Sequence, residues 1–136
     1  MQTFLPYPNL KLTASCLDRQ RLCKQRLESK QIIDTLEGRS QGWKHHPAVK
    51  MWKGHVEFLK KYFNSISIEW ERRGYKHNMG YYSIDEKKAV PPIWWGNSTF
   101  HLSHQSNLVR KKPEHYRKYF PNIPDNLSYF WPKNYE

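Results

Sequence analysis

Between residues 52 and 70 the apolar side chains Trp52, Val56, Leu59, Phe63, Ile66 and Trp70 recur at alternating steps of four and three. That spacing follows the 3.6-residue turn, so all six fall on one stripe of a helix. Such a stripe is stable only when laid against other elements, which makes this helix the scaffold of whatever fold the chain adopts. Pro47 suits a first helical turn, and Gly74, after Arg72 and Arg73, suits a stop. The pattern predicts a continuous helix over residues 47–73, about 40 Å long.

Two further helices are expected around it. Thr13 or Ser15 can cap one that runs to Leu36 and stops at Gly38. In it Cys16, Leu22, Cys23, Leu27, Ile33 and Leu36 can pack inward. Asp18, Arg21, Lys24 or Gln25, Glu28 and Gln31 share the opposite face. Ser98 or Thr99 can open a third helix to Lys112, closed by Pro113. Residues 75–97 contain Pro91-Pro92 and no lasting period, so they read as an ordered aromatic loop in which Trp94 and Trp95 pack inward. No segment alternates as a strand. The expected fold is all-α, a single domain over residues 1–136 with three main helices and long aromatic-rich loops. At 136 residues it needs neither metal nor disulfide to support a core. Aromatic residues make up 15% of the chain, so rings must supply much of the buried area. Cys16 and Cys23 lie two helical turns apart, roughly 10 Å, too far to pair. Reduced thiols point to the cytoplasm, no apolar run approaches the roughly 18 residues of a membrane span, and "MQTFLPYPNL" lacks the features of a signal peptide.

Charge narrows the function. Lys and Arg number 23 against 12 Asp and Glu, and segments 11–30 and 110–118 carry +8 of the net +11. Clustered cations favour a phosphate-bearing partner. Within "LDRQRLCKQRLES" (17–29), Glu28 stands among Arg19, Arg21, Lys24 and Arg26, with Lys30 just beyond. It can be an ordinary partner of Lys24 at i−4. It can also be a carboxylate that stabilises positive charge developing on a sugar while the cations hold a polyanion. Segment 110–118 interleaves Arg110, Lys112 and Arg117 with Tyr116: cations for phosphates, rings for bases. His46, His101, His104 and Gln105 are further candidates for phosphate contact or for bracing the site. His101 and His104 share a helix face, but no third ligand accompanies them, so no metal is expected.

These stretches resemble the pyrimidine-dimer DNA glycosylases of the phage endonuclease V type. Residues 17–29 are similar to the catalytic helix of that family, with Glu28 at its catalytic glutamate. "GHVEFLKKYFNSISIEWERRGYKHN" (54–78) resembles its long central helix, and "KKPEHYRKYF" (111–120) its DNA-contacting segment. "GWKHHPAVKMW" (42–52) is similar to a Gly-Tyr-x-x-His-Pro loop of cellular members. The resemblance implies a monomer that kinks lesion-bearing double-stranded DNA, flips a nucleotide, and attacks C1′ with its α-amine, giving a Schiff base and then β-elimination. No cofactor is implied. The phage enzymes expose a threonine amine by removing Met; here the second residue is Gln2, so the amine of Met1 or of Gln2 takes that role. The family's arginine before the glutamate is Leu27 here, with Arg26 one position earlier. Arg19, Arg21, Lys24, Arg26, Arg110, Lys112 and Arg117 are then the expected phosphate contacts. Two rivals stand beside this reading: a non-catalytic basic nucleic-acid-binding module, and a glycosylase for another modified nucleobase.

Overall fold

The computed structural model describes residues 1–133, and among them the only regular elements are helices: α1 (Leu10–Cys16), α2 (Arg19–Leu36), α3 (Pro47–Lys50), α4 (Val56–Arg72), α5 (Ser98–Lys111) and α6 (Pro113–Tyr116). The expected all-α class holds. Two of the expected helices are each broken once.

The first break falls at Leu17–Asp18. α1 starts earlier than expected, capped by the Asn9 side chain, which accepts from the Leu12 N–H. Its terminal carbonyls are then taken from outside the helix: the Arg73 guanidinium donates to Ala14, Ser15 and Leu17 oxygens at 3.3, 3.2 and 2.7 Å. Arg73 is itself held by Glu69 at 2.7 Å. Asp18 is buried, donating its N–H to the Tyr116 hydroxyl and accepting that hydroxyl's proton. Long-range partners hold this break, and the local signal is Asp18, a residue type that favours the N-cap position it takes before α2.

The second break separates α3 from α4. Gly54 takes φ 83°, a left-handed conformation that glycine adopts without a Cβ clash. The apolar stripe survives because Trp52, now in the turn, still packs on the helix it precedes. Its ring stacks on Phe58 at 6.4 Å and meets Tyr62 at 6.4 Å, and it is wholly buried, as are Leu59 and Ile66 of the same stripe. α2 packs across α4, α1 across the end of α4, and α6 against α5. Trp94 is buried as expected, and its indole N–H donates to the Met51 carbonyl. Leu27, expected inside, is 50% exposed, whereas Gln25, expected on the polar face, is 1% exposed.

That reversal has one cause: α2 does not bury an apolar face alone. Residues 2–6 run extended between α2, α4 and α5, and all but Tyr7 of residues 2–7 are buried. An extended segment with no strand partner needs other groups for its N–H and C=O, and side chains supply them. Gln25 accepts from Phe4 N–H at 3.0 Å and donates to the Gln2 carbonyl at 2.9 Å. Tyr62 donates to the Phe4 carbonyl, His104 Nδ1 accepts from Leu5 N–H at 2.9 Å, and Gln105 donates to the Pro6 carbonyl at 2.8 Å. His101 accepts from Gly96 N–H through Nε2, so its Nδ1 carries the proton and donates to the Leu5 carbonyl at 2.7 Å.

These histidines make stability pH-dependent. Burial pushes the His104 pKa down to about 3, with nearby His101 adding to the fall, and burial also lowers His101. The unfolded chain takes up the same protons near the usual value of about 6.5. Between these limits the unfolded state binds more protons, so stability is full above about pH 6.5 and is lost as pH falls toward about 3. His104→Asn keeps an acceptor for Leu5 N–H and removes the titration. Thermal melts should show Tm of the native chain dropping several degrees between about pH 6.5 and 4.5, and a clearly shallower drop in the variant. Equal slopes would contradict this assignment.

Candidate active site

The N-terminal segment delivers its first residues to one face of α2. Gln2 N–H donates to Glu28 Oε2 at 3.1 Å, and Gln25 Nε2 reaches the same oxygen at 3.4 Å. The carboxylate therefore lies against the start of the chain, held by an amide that also fixes Gln2 and Phe4. Met1, Gln2, Phe4, Gln20, Arg21, Lys24, Gln25, Glu28, Lys111 and Tyr129 line a cleft of about 290 Å³ around it. Its rim is cationic: Lys24 and Lys111 are exposed, and Arg21 is half-buried, paired with Asp18 at 3.2 Å. Burial opposes ionisation of Asp18, but the Tyr116 hydrogen bond and the Arg21 guanidinium hold its pKa below the usual carboxylate value.

Two tyrosines stand at or behind this cleft: Tyr129 lines it, and Tyr62 lies beneath Gln25. Tyr62 is fully buried and donates to Gln25 Oε1 at 2.6 Å; burial, with the charge of Glu28 adding to it, raises its pKa well above the usual range. Tyr129 is pushed up to about 12, chiefly by burial. Both phenols are neutral at working pH; Tyr62 holds Gln25 and the Phe4 carbonyl from behind, and Tyr129 walls the cleft. His46 caps α3, its Nδ1 accepting from Ala48 N–H at 2.9 Å. Burial lowers its pKa, the positive chain terminus lowers it further, and Glu28 acts in the opposite sense, so the ring senses both charges of the site.

Several residues expected on phosphates lie elsewhere. His101 and His104 are 4% and 0% exposed and engage the Leu5 backbone, so they brace the N-terminal segment. Gln105 braces it too, through Pro6. Arg26 is 6% exposed: its guanidinium lies over the Trp70 ring at 5.0 Å and donates to His77 Nδ1. Tyr116 is fully buried on Asp18. Arg110 and Arg117 are committed to the carbonyls of Asp125 and Ile123, at 2.9 and 2.5 Å, and so order the segment after α6. Arg19 is exposed on the first turn of α2, and Lys112 ends α5 beside the rim residue Lys111. Phe4, Gln20, Gln25 and Tyr129 complete the cleft beyond the expected site residues, and Lys111 joins it from the basic segment 110–118. Gln25 is legible at i−3 from Glu28; Tyr129 arrives from a tail without periodicity. Cys16 is buried, and burial drives its pKa to about 12, which makes it an inert core thiol.

A lone carboxylate against the start of the chain, ringed by cations, defines a site for a phosphate-bearing substrate on a helical scaffold. The family model of the pyrimidine dimer DNA glycosylases matches residues 1–83 of the 136, and the chain belongs to that family. The match covers the N-terminal segment, all of α2 and α4, and hence Glu28 and Gln25. It supports a DNA glycosylase acting on pyrimidine dimers. No curated protein and no solved structure matches. No helix among the described residues is long and apolar enough to cross a membrane.

Proposed function

We propose that this chain excises a pyrimidine-dimer base from duplex DNA and then cleaves the abasic strand, using its α-amine as nucleophile and Glu28 as the supporting carboxylate. The observation that carries the reading is the 3.1 Å contact between Gln2 N and Glu28 Oε2. Where Met1 is removed, that nitrogen is the amine; where Met1 stays, its amine lies one residue away in the same cleft. An α-amine suits the step because a primary amine bonded to C1′ can go on to a Schiff base, which a hydroxyl or a water cannot form.

The chemistry follows from this arrangement. The amine's lone pair forms a bond to C1′ while the C1′–N1 bond breaks; its electron pair goes to the base nitrogen, which takes up a proton, and the freed base stays joined to its neighbour through the dimer's cyclobutane ring. Opening of the C1′–O4′ bond gives an iminium ion, and loss of a 2′ proton expels the 3′ phosphate. Glu28 stabilises the cationic sugar and accepts protons during these steps. Lys24, Lys111 and Arg21 at the rim, with Arg19 beyond it, hold the phosphates on either side. The target must leave the base stack to enter a cleft of this size, so the nucleotide is extruded.

The test is borohydride treatment during turnover on duplex carrying a thymine dimer. A reduced covalent protein–DNA adduct, together with strand cleavage and base release, read as free thymine after photoreversal of the dimer, is the expected result. Base release without adduct would leave a glycosylase that uses water. Neither product would leave a DNA-binding module.

A further inference from the structure

Trp43 is placed as no core residue would be. Its indole is 58% exposed, while Trp52 and Trp94 are 0% and 4% exposed. It is also the one non-glycine residue among those described with positive φ, 64°, a conformation unfavourable for a bulky side chain. Neither burial nor backbone preference accounts for a tryptophan there.

The surroundings point to a use. The 43–46 turn is closed by His46 N–H on the Trp43 carbonyl at 2.8 Å, and Thr35 on α2 ties the loop through the Gly42 carbonyl at 2.8 Å. The indole meets the His46 ring edge-on at 5.9 Å; His46 meets Trp131 edge-on at 5.9 Å; Trp131 lies 5.6 Å from Tyr129. Tyr129 lines the Glu28 cleft. Trp43 is thus the exposed end of an aromatic row whose other end walls the site. Next to it lies a second groove of about 540 Å³, lined by Lys44, His45, Lys50 and Lys53 with Thr35 and Val49. Lys44, His45 and Lys53 are exposed, and the nearby acids Asp34 and Glu37 are already paired with Arg39, Lys30 and Lys60. An aromatic face beside a cationic groove suits a nucleic-acid strand, because rings stack on bases and ammonium groups neutralise phosphates.

We propose that Trp43 stacks on a base exposed in the duplex beside the excised nucleotide, and that the Lys44–Lys53 groove holds the adjoining phosphates. The inference deepens the glycosylase reading and rests on it, since it assigns a second arm of the same DNA site.

The experiment uses the full chain and a duplex in which 2-aminopurine lies directly beside an uncleavable tetrahydrofuran abasic analogue. Binding is read by anisotropy, stacking by quenching of 2-aminopurine. Trp43→Leu, apolar but unable to stack, should weaken binding about tenfold and abolish quenching, while Trp43→Phe stays within about threefold of native and still quenches. Lys44→Ala with Lys53→Ala should lower the slope of log affinity against log salt by about 1.8. Thermal melts establish that the variants fold. A Trp43→Leu protein that folds, binds and quenches like the native chain overturns the proposal. Failure of the glycosylase reading appears differently: native protein would release no base from dimer-bearing duplex, whatever Trp43 does.

Discussion

Glu28→Gln is expected to lower single-turnover base release and strand cleavage on the order of 10²- to 10³-fold, while binding to the same duplex is unchanged or tighter. Glutamine is nearly isosteric, and its Oε1 can still accept the Gln2 N–H that Glu28 holds at 3.1 Å. What disappears is the negative charge that stabilises a cationic sugar and the group that takes protons. The lost charge sits beside Arg21, Lys24 and Lys111, so its removal makes the cleft more attractive to phosphate. The fall in turnover separates this account from a purely ionic role for Glu28, in which affinity would rise in the same way and turnover would not drop. A Glu28→Gln enzyme with native turnover would remove Glu28 from the chemistry.

The second large effect is expected at Gln25. This buried amide accepts from Phe4 N–H and the Tyr62 hydroxyl, and donates to the Gln2 carbonyl. Gln25→Leu keeps the volume and leaves the Phe4 N–H and the Gln2 carbonyl unpaired inside the protein. At about 1–3 kcal/mol for each orphaned group, the loss is about 2–6 kcal/mol, which for a chain of this size lowers Tm by roughly 10 °C. Catalysis should fall further than the melting curve accounts for when both proteins are assayed well below their Tm. The reason is geometric: the chain start is no longer fixed on Glu28, and a misplacement near 1 Å can cost about 10²-fold. Differential scanning calorimetry with single-turnover kinetics at low temperature checks both halves. A fully stable variant, or an unstable one with native kinetics, would contradict the role assigned to the amide.

Much of this was visible in the residue order, and the remainder was hidden for definable reasons. The 52–70 stripe and the helical class follow from local periodicity, and Glu28 stood out because its neighbours are cations. The breaks did not follow. Gly54 and the N-cap residue Asp18 are single-residue signals inside longer helical patterns, and the groups that hold the Leu17–Asp18 corner, Arg73 and Tyr116, reach it from 56 and 98 residues away. The histidine pair was legible as one face of α5 but not by its destination. An irregular segment that satisfies its backbone through side chains leaves no repeat to read, so His101, His104 and Gln105 stood open between phosphate contact and bracing, and the structure shows them bracing residues 5 and 6. Arg26 misled for a related reason. A guanidinium can be buried over an aromatic ring with a histidine partner, and charge counting assigns it to solvent.

The most direct measurement of the central claim is the location of the covalent bond. Borohydride-reduced adduct formed with dimer-bearing duplex is digested with nuclease and trypsin, and the modified peptide is sequenced by mass spectrometry. The account predicts the sugar remnant on the α-nitrogen of the N-terminal peptide, Met1–Lys11, at Met1 or at Gln2. An adduct on the ε-amine of Lys24 or Lys111, the two lysines that line the same cleft, would contradict it.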